Sequence, residues 1–132
     1  MLTISKELYN QIIDHAINQL PIEACGYLAG KEGVIEKVYN LTNIDQSADH
    51  FSFDPAEQFS TVKDARKNGL EILANYHSHP STPARPSEED IKLAYDPDIS
   101  YVIVSLANIE PYAKSFKIRD GKVNLEEITL IE

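Results

Sequence analysis

The strongest constraint on the fold is the way in which the strand-like segments of this 132-residue chain are connected. Some are joined by tight turns: Ala24–Ala29 and Val34–Tyr39 flank Gly30–Gly33, and Pro111–Ile118 and Val123–Ile128 flank Asp120-Gly121. Turns of this kind join the two strands of a hairpin. Other strand-like segments are connected through helical segments. A chain with both kinds of connection predicts a mixed β-sheet with helices packed on it.

Cap residues and periodicity predict about three helices. They run from a Ser5 cap to about Gln19, from an Asp54 cap to Gly69, and from a Ser87 cap to about Tyr95. The remaining predicted strands are Leu2–Ile4, Phe51–Phe53, Leu70–Ser78 and the central-looking Tyr101–Leu106. The polar residues 40–50 indicate a loop. The fold class is therefore α/β, with a mixed sheet and about three helices.

The composition excludes several classes of protein. Hydrophobic residues make up 42% and charged residues 25%, which is typical of a globular protein, and we expect one domain over residues 1–132. The net charge of −9 argues against a nucleic-acid partner, because binding phosphate requires lysine and arginine. No segment has the length of a signal-peptide core or the ~20 apolar residues of a spanning helix. We therefore expect a cytoplasmic protein without a membrane partner. The single cysteine, Cys25, excludes an intrachain disulfide and a CxxC site.

Any metal site is thus left to carboxylates and the four histidines, two of which lie in one short segment. His77 and His79 end a predicted strand, and strand alternation sends both imidazoles to one face, with their Cα atoms about 6.5 Å apart. A proline-rich loop follows, and Asp90 in the first turn of the next helix can supply a third ligand. Two histidines and one carboxylate suit zinc, and three protein ligands leave a fourth position to water, as in a catalytic site.

Hydrolysis at such a site also requires a general base. Zinc lowers the pKa of a water molecule to about 7 in favourable sites, but another group has to take the proton and return it to the leaving group. The candidate is Glu23, which lies where a buried strand begins, beside small residues that allow close approach. Ser87 could donate a hydrogen bond to the oxyanion of a tetrahedral intermediate.

These residues also have plain structural interpretations. Residues 87–90 fit an ordinary helix N-terminus, where a serine cap and acidic side chains are favoured, and Ser87 can serve both as cap and as donor. Glu23 alone would more often be a salt-bridged strand residue.

The other reactive or polar side chains of these segments are expected to be bystanders. Cys25 lies in an apolar strand with no separate histidine to activate it, which favours a buried, inert thiol. His15 lies on a helix and should be a surface or packing residue. His50 lies in a loop that could border the cleft, but a solvated histidine is favoured over a substrate contact. Tyr76 and Ser78 point away from the face of the metal ligands and should pack.

Together these residues resemble the signature of the JAMM/MPN+ metalloprotease family, in its minimal prokaryotic form. The pattern is His77-x-His79, seven residues, Ser87, two residues and Asp90, with Glu23 upstream in a Pro-x-Glu-x-Cys-Gly context. The usual flanks are present as His79-Pro80 and Pro86-Ser87, and Phe53-Asp54-Pro55 recurs at this place in prokaryotic members. The resemblance extends from about residue 3 to residue 118.

The resemblance implies a cytidine-deaminase-like α/β/α sandwich and zinc-dependent hydrolysis of peptide or isopeptide bonds. Its implied substrates are ubiquitin-like proteins, among them small sulfur carriers, cut after a C-terminal Gly-Gly. It assigns one catalytic zinc ion to His77, His79 and Asp90. It makes Glu23 the general acid/base and Ser87 the oxyanion stabiliser.

The length of two loops bears on the substrate. Residues 40–50 and 95–100 occupy the places of the insertions with which eukaryotic members grip ubiquitin, and both segments are short. Recognition of a particular ubiquitin linkage is therefore not expected, and the resemblance to the minimal prokaryotic form implies a sulfur-carrier protein as substrate. Two alternatives stay open. A non-catalytic MPN scaffold would bind partners, but such members usually lack one or more ligands, and this chain keeps all of them. A zinc hydrolase of small peptides or amides would keep the chemistry and change the substrate.

Overall fold

The computed structural model describes residues 1–132 and contains eight strands and three helices. In chain order they are β1 Leu2–Ser5, α1 Lys6–Asn18, β2 Cys25–Lys31, β3 Val34–Leu41, α2 Pro55–Lys67, β4 Glu71–His79, α3 Glu88–Lys92, β5 Ser100–Ser105, β6 Tyr112–Arg119, β7 Lys122–Glu126 and β8 Ile128–Ile131. No helix combines the length and the apolar character that a membrane span requires.

All eight strands belong to one mixed sheet, in the order β7-β6-β5-β4-β2-β3-β1-β8. Strands β2 and β3 pair antiparallel, as do β5, β6 and β7 in succession, whereas β4 pairs with β5 in parallel. The chain reaches β5 from β4 through the proline-rich loop and α3, since a parallel pair needs a crossover connection. The α/β fold class with a mixed sheet and three helices is confirmed.

Helices cover both faces of the sheet and form the expected α/β/α layers. One face carries Tyr76 and packs against α1 in the larger core cluster. The opposite face carries Ile103, which belongs to a smaller cluster packed against Ile91 of α3. Helix α2 also lies on that second face, where Gln58 Nε2 donates a hydrogen bond of 2.9 Å to the Tyr27 hydroxyl.

The local signals for helix starts and hairpin turns are confirmed in detail. The Ser5, Asp54 and Ser87 side chains each accept a hydrogen bond from a backbone N–H in the first turn of the helix they precede. The turn after β6 has positive φ at both Asp120 and Gly121, 51° and 77°. Two successive positive φ values are typical of the type I′ turn, which matches the twist of a hairpin and favours Asp-Gly.

The predicted strand Phe51–Phe53 is wrong. This segment makes only an isolated bridge, between Asn43 and Phe53, within a loop over residues 43–53. Its aromatic rings are instead used in stacking: Phe53 lies 4.8 Å from Tyr27 and Phe51 lies 4.7 Å from His77, between ring centroids. Ring packing, not a strand ladder, accounts for the apolar character of this segment.

The predicted strand Val123–Ile128 is wrong beyond Glu126. Strand β7 pairs with β6, but after Glu127 the chain enters β8, which pairs in parallel with β1 at the opposite edge of the sheet. Since one residue separates these two edge strands, the sheet curls until its edges meet at Glu127. Helix α1 lies inside this curl, where it contacts β1, β3, β5 and β8.

Helix α3 ends at Lys92, earlier than the expected end near Tyr95. The backbone N–H of Asp96 donates to the Tyr101 hydroxyl at 3.1 Å, and that hydroxyl donates to the Asp96 carbonyl at 2.7 Å. Asp96 also precedes Pro97, a position that disfavours helical backbone angles. These contacts draw the chain out of the helix.

Candidate functional site

Three side chains converge at the end of β4, and we call them the metal triad: His77, His79 and Asp90. The Nε2 atoms of the two histidines lie 3.2 Å apart, and Asp90 Oδ2 lies 3.2 Å from His77 Nε2 and 3.1 Å from His79 Nε2. Both histidines are buried. The structure therefore brings together the three residues that the sequence singled out as metal ligands.

Strand geometry and the proline-rich loop orient the two imidazoles. His77 and His79 lie on the same face of β4, and the His77 ring stacks on Phe51 with an interplanar angle of 24°. His79 Nδ1 lies 2.9 Å from the Pro83 carbonyl oxygen, which can only accept, so Nδ1 carries the hydrogen. In the neutral ring, Nε2 then has a free lone pair that faces the centre of the triad.

The donor atoms of the triad fit a zinc ion. Four ligands at about 2.0–2.1 Å in a tetrahedron stand about 3.3–3.4 Å from one another. The separations of 3.1–3.2 Å within the triad come within a few tenths of an ångström of that value. Two imidazole nitrogens and one carboxylate oxygen also form a donor set that zinc prefers, and three protein ligands leave a position open.

The capping box of α3 positions the Asp90 carboxylate. Ser87 Oγ accepts from the Asp90 N–H at 3.0 Å, and Asp90 Oδ2 accepts from the Ser87 N–H at 2.9 Å. Burial alone would raise the pKa of Asp90, but in the metal-free site hydrogen bonds from Nε2 of His77, and from Nε2 of His79 when that ring carries both hydrogens, hold that pKa well below its usual range. The same hydrogen bond to Asp90, together with that to Pro83, raises the pKa of His79 against the lowering effect of burial. Asp90 is therefore an ionised carboxylate that faces both imidazoles.

Glu23 lies two residues before β2 and is only 4% exposed. Its Oε1 atom is buried without a hydrogen-bond partner. Burial raises the pKa of Glu23 to about 8, and among the nearby charges His79 lowers it while Asp90 raises it. No salt bridge joins Glu23 to another residue, so Glu23 is not the salt-bridged strand residue that its structural interpretation described. An unsatisfied, buried carboxyl oxygen is costly and points to a group that acts on something absent from the chain itself.

Ser87 serves as the N-cap of α3, as its structural interpretation required. The residue is exposed beside Asp90, and its Oγ accepts from the Asp90 N–H. The hydroxyl hydrogen is therefore left for donation to another molecule, because a hydroxyl accepts and donates independently.

The expected bystanders have structural contacts of their own, although Cys25 lies directly opposite His77 in the β2–β4 pairing. Cys25 is fully buried, and burial raises the pKa of its thiol to about 12. The Tyr76 hydroxyl donates to Asn40 and lies 2.8 Å from His15 Nδ1, so both aromatic residues pack. His50 is exposed and pairs with Asp45 at 3.1 Å, which confirms a solvated loop histidine.

A small cleft of about 50 Å³ adjoins the triad on the face that α3 covers. His77 and Asp90 form one end, and apolar side chains such as Tyr101 and Leu93 line much of the rest. Asn75 also lines it, and its Oδ1 atom has no hydrogen-bond partner. The sequence did not single out Asn75 or Phe51 for this site. For Asn75 the alternation of β4 held the signal, because residue 75 shares a face with His77.

The sequence matches, over residues 5–119, the family described as prokaryotic homologs of the JAB domain. Over its full length and 92% of the relative, it is 37% identical to a CysO-cysteine peptidase of Mycobacterium tuberculosis. It is 36% identical to a probable TtuB-protein conjugate cleaving protease of Thermus thermophilus, over 71% of this chain and 64% of the relative. A desampylase of Pyrococcus furiosus is 32% identical over 64% of this chain and 60% of the relative.

Two solved structures also resemble the fold of this chain. A Desulfitobacterium hafniense protein determined in solution has a TM-score of 0.92 and 52% identity, over 100% of this chain and 94% of that one. A JAB1/MPN domain protein from Archaeoglobus fulgidus has a TM-score of 0.68 and 24% identity, over 99% of this chain and 100% of that one. The second likeness is one of fold.

Proposed function

The chain belongs to the prokaryotic JAB-domain family of JAMM/MPN+ metalloproteases and is a hydrolytic enzyme of that class, and from this premise we propose its substrate and its catalytic residues. It is a zinc-dependent peptidase or isopeptidase that cuts after the C-terminal Gly-Gly of a ubiquitin-like sulfur-carrier protein. The observation that carries the proposal is a buried carboxyl group with an unsatisfied oxygen, Glu23, near three converging metal-binding side chains.

We assign the zinc ion to the metal triad, with His77 Nε2, His79 Nε2 and Asp90 Oδ2 as its protein ligands. When bound, zinc supplies a Lewis acid that polarises a carbonyl group and lowers the pKa of water. The His79 tautomer fixed by Pro83 and the Asp90 position fixed by the capping box hold these atoms in place without rearrangement. Orientation of this kind supports both metal affinity and rate.

Glu23 is the proton carrier of the proposed mechanism. Its Oε1 takes a proton from the attacking water and returns it to the leaving nitrogen of the scissile bond. A pKa raised to about 8 suits this exchange, because a carboxyl group that titrates near neutral pH both accepts and releases a proton readily. The Ser87 hydroxyl donates a hydrogen bond to the carbonyl oxygen of the scissile bond as negative charge develops on that oxygen.

The proposed substrate rests on the relatives and on the short loops. One relative is a CysO-cysteine peptidase and another is a probable TtuB-protein conjugate cleaving protease, which supports a carrier protein joined to a second group. The loop residues 42–50 and 95–99 leave little surface with which to grip a second large protein. A Gly-Gly tail suits the cleft because glycine has no side chain to exclude from its walls.

A carrier protein extended by one residue after its terminal Gly-Gly tests the proposal. Incubated with the zinc-loaded enzyme, it should lose the mass of that residue in an intact-mass spectrum, and a chelator should stop the loss until zinc is added back. A matched carrier with Ala-Ala in place of Gly-Gly should stay intact.

Other outcomes of this experiment would contradict the proposed function. Equal kcat/KM on a free Gly-Gly-X peptide would favour a hydrolase of small peptides over a carrier-specific enzyme. An enzyme that neither binds zinc nor cuts any carrier would favour a non-catalytic scaffold.

A further inference from the structure

Glu23 owes its position to contacts from distant parts of the chain rather than to regular structure. It lies between α1 and β2, in neither a helix nor a strand, yet it is almost completely buried. Its own backbone N–H donates to the Ser47 carbonyl at 2.8 Å. A carboxyl group on an irregular segment can only be held at a fixed place if its neighbouring peptide groups are held as well.

Ser78 of β4 also holds this segment, with a side chain on the face opposite the two triad histidines. The Ala24 N–H donates to Ser78 Oγ at 2.8 Å, and the Ser78 N–H donates back to the Ala24 carbonyl at 3.0 Å. Ser78 is fully buried and lies between His77 and His79 on β4. Its hydroxyl therefore links the peptide that follows Glu23 directly to the strand that carries two triad residues.

Asn43 holds the same segment through its side-chain amide. Its Nδ2 donates to the Glu23 carbonyl at 3.0 Å and to the His50 carbonyl at 3.1 Å. Its Oδ1 accepts from the Asp45 N–H at 3.0 Å and the Ser52 N–H at 3.3 Å. The side chain is 2% exposed and uses both of its amide hydrogens and both acceptor positions. It thus ties Glu23 to the 43–53 loop.

We propose that Asn43 and Ser78 are positioning residues, which together fix the distance from the Glu23 carboxyl group to the metal triad. This inference rests on the proposed function, because it presumes that Glu23 carries the proton. Neither side chain contacts the substrate or the metal in this account. They act on the peptide group that follows Glu23, since Asn43 donates to its carbonyl oxygen and Ser78 accepts from its N–H. A displacement of about 1 Å at a reacting group can reduce a rate by about 100-fold.

The pair Ser78→Thr and Ser78→Val isolates the hydroxyl group, because both variants add the same bulk at a buried position. We expect Ser78→Val to lower kcat by about 10- to 100-fold relative to Ser78→Thr, with KM and zinc stoichiometry within about twofold. Relative to the native chain, Asn43→Ala should also lower kcat by about 10- to 100-fold and keep KM and zinc stoichiometry within about twofold. Ser115→Ala is the matched control, since Ser115 is a buried strand serine whose hydroxyl donates to Glu126 instead. It should lose stability and keep kcat.

Amide hydrogen exchange of the metal-free protein gives a readout that does not depend on activity. Loss of the Ser78 hydroxyl or of the Asn43 amide should speed exchange at Glu23 and Ala24 and leave β5 protected. Equal exchange and equal kcat in Ser78→Thr and Ser78→Val would overturn the role of Ser78. If Ser78→Val does not fold, Asn43→Ala supplies the same test, with unchanged exchange at Glu23 as the contradicting result.

A combination with Glu23→Gln separates this inference from the proposed function. In that background, Ser78→Val should cause little further loss of the residual rate, because residues that act through one group are not additive. If Glu23→Gln alone keeps full activity, the proposed function fails. If Glu23→Gln is inactive while the Asn43 and Ser78 variants are fully active, only the positioning role fails.

Discussion

The charges of His79 and Asp90 in the metal triad act on Glu23, but the chain holds the triad and Glu23 in different ways. His77, His79 and Asp90 come from adjacent elements within 14 residues, and strand alternation and a capping box orient them. Glu23 comes from more than fifty residues upstream. Its N–H donates to the Ser47 carbonyl, its carbonyl accepts from Asn43, and the next N–H, of Ala24, donates to Ser78. Local geometry is therefore enough to bring the three candidate metal ligands together, whereas long-range contacts are needed to place the proposed proton carrier.

Asp90→Asn should have the largest effect, because it breaks the locally built half of the site. An amide replaces the anionic ligand, so we expect less than about 0.1 equivalent of bound zinc and a loss of activity of about 1,000-fold or more. Elemental analysis and turnover measure the two effects. Glu88→Gln, an exposed acid in the same helical turn, is the control and should keep both. Full zinc occupancy in Asp90→Asn would contradict the triad.

The two halves of the site were not equally predictable from sequence. Strand alternation placed His77 and His79 on one face, and the Ser87 cap placed Asp90, because these rules depend on neighbours a few residues away. The partners of Glu23 left no such signal: Asn43 stands in a polar loop, and Ser78 was expected only to pack. The strand error at Phe51–Phe53 has the same origin, because stacking on His77 and Tyr27 is a tertiary contact. The division of the predicted strand Val123–Ile128 into β7 and β8 at Glu127 likewise depends on how far the sheet curls.

Ser87→Ala tests whether a helix cap also contributes to chemistry. The lost cap should cost about 1 kcal/mol of stability, and the lost hydroxyl donor should lower kcat by about 100- to 1,000-fold. Ser5→Ala is the matched control, because Ser5 caps α1 by accepting from the Leu8 N–H at 3.1 Å, on the far side of the sheet. It should lose similar stability and keep kcat. Equal kcat values in Ser87→Ala and Ser5→Ala would show that Ser87 acts only as a helix cap.

The stability of the metal-free chain should depend on pH through Glu23. Burial raises its folded-state pKa from 4.5 to about 8, so between these values the folded chain binds more protons than the unfolded chain and stability falls as pH rises. Glu23→Gln removes this loss. Relative to the native chain, it should gain up to about 5 kcal/mol between pH 4 and pH 9 in urea unfolding. A stability difference that is constant across this range would contradict the burial of an ionisable Glu23.

Cys25 should have the smallest effect, although it lies two residues from Glu23. Because the thiol is fully buried and its pKa is raised to about 12, it should not react with a thiol reagent in the folded protein. Cys25→Ala should change kcat by less than about twofold and lower stability by about 1 kcal/mol. Rapid labelling together with loss of turnover would indicate a nucleophilic thiol instead.

Zinc content and turnover of Glu23→Gln, measured on one preparation, test the central claim most directly. The account predicts one equivalent of zinc, as in the native chain, together with a loss of turnover on a Gly-Gly-extended carrier of about 100- to 10,000-fold. That result would separate a metal site that forms without Glu23 from a reaction that needs it. Full turnover with zinc bound would contradict the role of Glu23 as the proton carrier, and loss of zinc would contradict the independence of the metal triad.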